Sequence, residues 1–412
     1  MSKAEKDTAV IAAPRRGGLP LKAMTVAGIM SGTSADGIDV AFVQIAPGSR
    51  RGDAFDLRLK LLAHSAVPFP LPLRRAVLAA MDANQTSTAE LARLNWRLGQ
   101  AYAEAVETAL EKHPCELQLI GCHGQTIYHQ ATAAPYAGRP VACTWQIGEM
   151  AQLAAQTGVP VVSNFRPADM VAGGQGAPLV PLLDFVYFRH PERGRVLQNI
   201  GGIGNLTAIP PGAAPDNVTA FDTGPGNMVV DAAMQALFGK PYDRGGKVGA
   251  KGQVLQTVLS TFLKHPFFRS RPPRSAGREQ FGTAFAAKFL AACRAASPNP
   301  EDAVATATVL TARSIRNAFE EFVLPAMQGS PVDYYLSGGG AENSTLVAML
   351  RQLLEPLGCT VRNSDEAGMP VQAKEAVAFA LLAYQTLHAR PGNVPSATGA
   401  LRPAILGQIT YA

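Results

Sequence analysis

The stretch Gly28-Ile-Met-Ser-Gly-Thr-Ser-Ala-Asp-Gly-Ile-Asp39 decides how this chain is to be read. Before it, Thr25–Met30 is a short apolar run; after it, Ile38–Ile45 is a second, nearly continuous one. Short apolar runs bounded by glycine and small polar residues are strands. A plain hairpin turn needs only about two to five residues. This one concentrates the hydroxyls of Ser31, Thr33 and Ser34 and the carboxylates of Asp36 and Asp39. Glycine lets successive main-chain N–H groups point into one concavity, and such a nest binds phosphate. The segment, with Gly32, Thr33, Ser34, Ala35, Asp36, Gly37, Ile38 and Asp39, is therefore read as a phosphate-binding loop, a plain hairpin turn being the blander alternative. Asp36 and Asp39 carry two readings: Mg2+ held through water, or ordinary turn chemistry.

Outward from this loop, Phe55–Leu61 alternates apolar and polar residues with period two, which predicts a third strand and an antiparallel meander. Ser87-Thr-Ala-Glu90 has capping-box spacing and opens a helix running to about His113. Leu117–Cys122 reads as a buried strand, Gln146–Gln156 as a helix and Val159–Ser163 as a strand. Near Arg193 the pattern restarts. Val196–Ile200 and Asn205–Ile209 are strands joined by Gly201-Gly-Ile-Gly204, and Ala220–Asp222 is a third. Helices follow to Leu324, then the strand Asp333–Ser337, a glycine turn, a helix from Ser344, the strand Cys359–Arg362 and a last helix from about Ala373 to His388. Both halves share one order, which predicts a duplicated α/β fold. The proline-rich stretch from Pro178 to Pro191 is the expected linker between the halves.

Composition narrows the class. The chain has 412 residues, 47% hydrophobic and 17% charged, enough for two globular domains and too apolar for disorder. The net charge of +6 is fed partly by Lys3, Lys6, Arg15, Arg16 and Lys22. No concentrated basic face remains, so a nucleic-acid partner is not expected. Five cysteines without a C-x-x-C pair argue for a reducing, cytoplasmic setting and against zinc. No apolar run is long enough to span a membrane. Residues 1–23 read as a flexible extension.

Ordinary nucleotide motifs fail. Gly246-Lys247 is followed by Val248 rather than Ser or Thr, so it is no P-loop. ATP would instead be held by paired hairpins across a cleft. Asn199, Gly201 and Gly202 would carry the phosphates, and Gly338, Gly339 and Gly340, between a strand and a helix, would lie against adenine or ribose. Phe221-Asp-Thr-Gly-Pro-Gly-Asn227 puts one carboxylate, Asp222, at a strand end, where a kinase needs a proton acceptor; capping of the next helix is the blander alternative. His123, Gln125 and Thr126 emerge at the carboxyl end of a buried strand, where open α/β sheets hold ligands, and suit sugar hydroxyls. Arg166 suits either a bidentate carboxylate contact or a surface salt bridge.

Taken with Gly173-Gly-Gln-Gly-Ala-Pro178 and Gly277-Arg-Glu279, these motifs, in this order over about residues 24–410, resemble those of the anhydro-N-acetylmuramic acid kinases. The resemblance implies a two-lobed actin-like ATPase fold of duplicated ribonuclease H-like domains with an interlobe cleft. The division expected is a lobe of residues 24–180 plus 389–412 and a lobe of residues 181–388. It also implies ATP and Mg2+ as cofactors and Asp222 as the base that activates water to open the 1,6-anhydro bond. O6 then takes the γ-phosphoryl group, in cell-wall sugar recycling. His123, Thr126 and Arg166 fall at sugar contacts, and Glu375, in Lys374-Glu-Ala376, falls where a substrate-contacting Glu is expected. The chain departs from many members at Asn164, where they carry Asp, and from some at Ala168, where they carry Arg. A small amino-sugar substrate is the expected partner, with room for a homodimer. Two other readings stay open: a kinase of the same fold acting on an intact sugar, and an ATP-gated binding module without catalysis.

Overall fold

The computed structural model describes residues 21–412 apart from 33, 34, 50–52, 54 and 84. Thr33, Ser34 and the first twenty residues of the expected extension therefore lie outside the described residues. In chain order the first part holds β1 (Met24–Met30), β2 (Gly37–Pro47), β3 (Leu57–Pro68), α1 (Leu71–Met81), α2 (Thr88–Lys112), β4 (Leu119–Cys122), β5 (Gln125–Tyr136), β6 (Arg139–Ile147), α3 (Met150–Thr157), β7 (Val161–Ser163), α4 (Arg166–Val171) and α5 (Pro181–Phe188). The second part holds β8 (Gly194–Ile200), β9 (Ile203–Ile209), β10 (Thr219–Pro225), α6 (Met228–Phe238), α7 (Gln256–Phe262), α8 (Arg278–Phe281), α9 (Thr283–Ala296), α10 (Pro300–Phe322), β11 (Val332–Ser337), α11 (Ser344–Leu354), β12 (Cys359–Asn363), α12 (Lys374–Leu387), α13 (Pro395–Thr398) and β13 (Gln408–Thr410).

The strands form two main sheets, ordered β13-β7-β4-β1-β2-β3 and β10-β9-β8-β11-β12. In the first, β1 pairs antiparallel with β2, β2 antiparallel with β3, and β1, β4 and β7 run parallel. In the second, β8 pairs antiparallel with β9, β9 antiparallel with β10, and β8, β11 and β12 run parallel. The same order with the same senses occurs twice, the duplication that the sequence predicts. It is the ribonuclease H-like sheet used as two lobes. β13 closes the first sheet by pairing antiparallel with β7.

Alternation along each strand sorts the core. From β1, Ala27 and Ile29 point to a cluster with α2 and α3, built on Leu98, Tyr102 and Leu153. Val26 points the other way, into a cluster shared with α5, α12 and the near face of the second sheet, where Leu197, Ile209 and Tyr335 enter it. The far face of the second sheet packs on α10 and α11 through Ile315, Phe319 and Leu350. Two expectations change here. The segment 181–188 is no linker: it is helix α5, and Leu182, Leu183, Phe185 and Phe188 are buried between the sheets. Helix α12, which the expected division placed in the lobe of residues 181–388, packs on β1 and β4 of the first sheet. The cause is local. A Cβ at Gly28 would run into the backbone of Ala376, and one at Gly121 into that of Phe379. Glycine at these two positions lets the helix lie directly on the strands. Lys374 on α12 and Asp184 on α5 form an ion pair at 2.7 Å within this layer.

Candidate active site

Ser31, His123 and Gly338 directly follow the carboxyl ends of β1, β4 and β11, and Asn199 lies next to the end of β8 at Ile200. Around the first sheet, β1 ends at Met30 and β2 begins at Gly37. Ala35 N–H donates to Gly32 O at 3.1 Å. Ala35 itself has φ +51, an uncommon conformation for a residue with a Cβ. Concavities of main-chain N–H groups are built from such alternations of backbone hand. The Ser31 hydroxyl is not part of the concavity: it is buried and bonded to the Tyr102 hydroxyl at 2.9 Å. Asp36 is tied to Arg74 at 2.8 Å and Asp39 to His64 at 2.8 Å.

Beside this loop, β4 delivers His123. Its Nδ1 lies 2.8 Å from Gly124 O, and its Nε2 accepts from Arg166 Nε at 3.0 Å. Burial, then the neighbouring guanidinium, push its pKa down to about 3, so the ring is neutral and acts as an acceptor for Arg166. Arg166 also donates to Gly176 O at 2.8 Å. Asp169 holds the same loop from below, accepting from Gly176 N, Asn393 Nδ2 and Thr398 Oγ1. Glu375, at the start of α12, is open to solvent. The surrounding protein and then Asp39 raise its pKa, while Arg166 and Lys374 pull it down. Asp39, His123, Arg166 and Glu375 thus form one neighbourhood. Gln125, expected among the sugar contacts, is wholly buried, and its amide donates to Gly32 O at 3.3 Å. It braces the phosphate-loop turn. Asn164, at the end of β7, has φ +56. Asn and Asp are the residues with a Cβ that best tolerate that conformation.

In the second lobe three motifs meet by hydrogen bonds. Gly226 N and Met228 N donate to Gly202 O at 2.9 and 3.2 Å, and Asn227 N to Gly201 O at 2.7 Å. Asn227 Nδ2 donates to Ile200 O, and the Gly338–Gly340 turn packs on Asn199 and Ile200. The glycines there fall into two kinds. Gly338 has φ +78, and a Cβ on it would lie 2.6 Å from Asn199 Oδ1; one on Gly340 would run into Ile200. For Gly201, Gly202 and Gly339 nothing comes closer than 3.4 Å to an added Cβ. The protein's own packing does not require glycine at these three positions. An added Cβ there would make only ordinary van der Waals contacts, with Ile203, Met228 and Asn227 respectively.

The strand expected to end at Asp222 runs on to Pro225, so Asp222 lies inside β10 rather than at its end; the ladder with β9 slips between Asp222 and Gly224 and then continues. Its Oδ2 accepts the Ala276 N–H at 2.6 Å. Burial raises its pKa to about 6, against the opposing pulls of that N–H and of Arg274. The sequence reading passed over Arg274. Its Nε donates to Asp222 O at 2.9 Å, and its Nη1 reaches the carbonyls of Phe267, Phe268 and Ser270. The guanidinium sits 4.7 to 5.3 Å from the ring centroids of Phe221, Phe267 and Phe322. It staples the segment before Ala276 against β10. His64 was also missed, since a histidine alternating in a strand carries no sequence signal. Among the described residues no group of three or more His, Cys, Asp or Glu side chains is placed to hold a metal ion.

The duplicated sheet order is that of the two-lobed, actin-like ATP-binding fold. The sequence model of the family described as anhydro-N-acetylmuramic acid kinase matches residues 24–412. Proteins of that name from Bacillus cereus strain AH187 and from Bacillus anthracis strain CDC 684 are 44% and 43% identical to this chain, each over 94% of it and 99% of the relative. Among solved structures, a ROK family glucokinase from Streptomyces griseus in complex with glucose and AMPPNP is 13% identical, with a TM-score of 0.34 over 89% of this chain and 100% of that one. The chain belongs to the anhydro-N-acetylmuramic acid kinase family and is a kinase.

Proposed function

We propose that this kinase opens 1,6-anhydro-N-acetylmuramic acid with water and phosphorylates O6, giving N-acetylmuramic acid 6-phosphate and ADP, in the cytoplasm during cell-wall sugar recycling. The observation that carries this is Asp222: a carboxylate within the edge strand β10, a few residues before the Gly226–Met228 turn, with a pKa lifted by burial to about 6. A base works best with a pKa near the working pH. Asp222 takes a proton from water as the water oxygen bonds to C1. The C1–O6 bond breaks, its electron pair stays on O6, and O6 takes the phosphoryl group. ATP supplies that group. Its phosphates would lie on Gly32–Asp39 and on Asn199, Gly201 and Gly202, and its nucleoside on Gly338–Gly340. Mg2+, near Asp39, would neutralise phosphate charge.

On the sugar side, Arg166 pairs with the lactyl carboxylate, held in place by neutral His123 and Gly176. Thr126 and Glu375 bond hydroxyls. Gln125 acts through the turn it braces. The residues of the first lobe and those of the second meet across the cleft when both substrates are bound. An ADP-release assay tests the proposal. Turnover with the anhydro sugar and little with glucose, N-acetylglucosamine or N-acetylmuramic acid is expected. Equal or faster turnover of an intact sugar would overturn the reading in favour of an ordinary hydroxyl kinase of this fold.

A further inference from the structure

A polar strip runs away from the sugar-side cluster along one face of the β5–β6 hairpin. Thr126 stands opposite Gln146 in the ladder, and His129 opposite Thr144. Gln146 Nε2 donates to Thr126 Oγ1 at 3.2 Å and to Thr144 Oγ1 at 2.8 Å. Thr144 Oγ1 lies 2.9 Å from His129 Nδ1. Side chains three apart normally point to opposite faces of a strand. The register slip between Thr126 and Tyr128 adds one residue and brings Thr126 and His129 to the same face. Helix α4, which begins at Arg166, packs against β6. Burial and then the Arg166 charge lower the pKa of His129. The strip therefore lies within the field of the residue read as the carboxylate contact, and it carries no charge of its own.

One atom on the strip lacks a partner. Gln146 Oε1 is buried and accepts no hydrogen bond from the protein. A buried acceptor left without a partner destabilises the fold, and a ligand N–H placed there removes that cost. A neutral strip with a free acceptor and a hydroxyl beside it matches an amide, which both donates and accepts. It does not match a carboxylate, which Arg166 is better suited to take.

We infer that Gln146, Thr144 and His129 form a subsite for the acetamido group of the substrate, with the amide N–H on Gln146 Oε1. This rests on the anhydro-amino-sugar reading above. The test compares kcat/KM for 1,6-anhydro-N-acetylmuramic acid with that for the same sugar bearing a hydroxyl in place of the acetamido group. Gln146→Ala lowers the first about tenfold and the second less than twofold, with KM for ATP unchanged; the scale is that of one or two hydrogen bonds. Thr144→Val gives the same selective loss on a smaller scale. Equal losses on both sugars, or none on either, overturn the subsite.

If the wild-type enzyme turns over neither sugar, the functional reading fails and a binding measurement decides the subsite by itself. The chain has two tryptophans, Trp96 and Trp145. Trp96→Phe leaves Trp145, next to Gln146, as the reporter. N-acetylglucosamine then changes its fluorescence while glucose does not, and Gln146→Ala abolishes the difference. Identical responses to the two sugars, or none to either, remove the subsite.

Discussion

The main-chain N–H of Ala276 lies 2.6 Å from Oδ2 of Asp222. One carboxylate oxygen is thereby fixed in direction, and the described residues give the other no partner. The N–H belongs to a segment that Arg274 staples to β10, so the orientation of the base depends on a loop 54 residues further along the chain.

Asp222 sets a pH dependence in both activity and stability. As a base it must be ionised, so kcat/KM rises with pH and levels off above a limb near 6. For stability the sign is opposite. The folded pKa lies above the unfolded one, so the fold carries no penalty below about pH 4. The penalty grows between about 4 and 6 and is constant above that, at roughly 1–2 kcal/mol for a partly exposed group. Asp222→Asn therefore loses at least about 10²-fold in turnover while melting higher than wild type at pH 8. At pH 4 the two melt alike. A thermal melt at the two pH values checks this; a variant less stable than wild type at pH 8 contradicts it.

Arg274→Ala removes the staple and a nearby positive charge. Misplacing a base by about 1 Å costs on the order of 10²-fold, so kcat falls by about that much while ATP affinity holds. Because Arg274 lowers the pKa of Asp222, the acid limb also moves to higher pH. A purely structural role for Arg274 would lower the amount of folded enzyme and leave the limb where it was. The pH–rate profile separates the two.

The two kinds of glycine in the second lobe give opposite outcomes. Gly338→Ala forces a Cβ onto a left-handed residue against Asn199, and costs about 1–3 kcal/mol of stability. Gly339→Ala meets nothing nearer than Asn227 Nδ2 at 3.5 Å. It leaves the melting temperature almost unchanged and raises KM for ATP. Melting curves with and without a non-hydrolysable ATP analogue distinguish them. An unchanged KM in Gly339→Ala removes that turn from the nucleotide site.

What the sequence made legible follows from what is local. Val26–Met30 and Ile38–Ile45 are buried on both faces of a central sheet, so their apolar runs announced strands, and Gly201–Gly204 between two such runs announced a second hairpin. The duplicated order came from these pieces. The β5–β6 hairpin was not read. Its strands are mostly exposed, carry slips between Thr126 and Tyr128 and between Gln130 and Ala134, and so lack a clean period of two. Gln146–Ile147 was expected in a helix that begins at Met150. Helix α5 was hidden because two prolines frame an apolar run that is buried on all sides. The site residues at strand ends were visible as clusters. The supports were not: Arg274 reaches Asp222, Tyr102 reaches Ser31 and Asn393 reaches Asp169 only after the chain folds, across 52, 71 and 224 positions.

The central claim is that Asp222 activates water rather than a sugar hydroxyl. Turnover of the anhydro sugar in ¹⁸O-labelled water, sampled early and read by mass spectrometry, tests it most directly. The label enters at the anomeric oxygen of the product and is absent from the phosphate group. An unlabelled anomeric position in the first turnovers, or label carried in the transferred phosphate, would contradict the account.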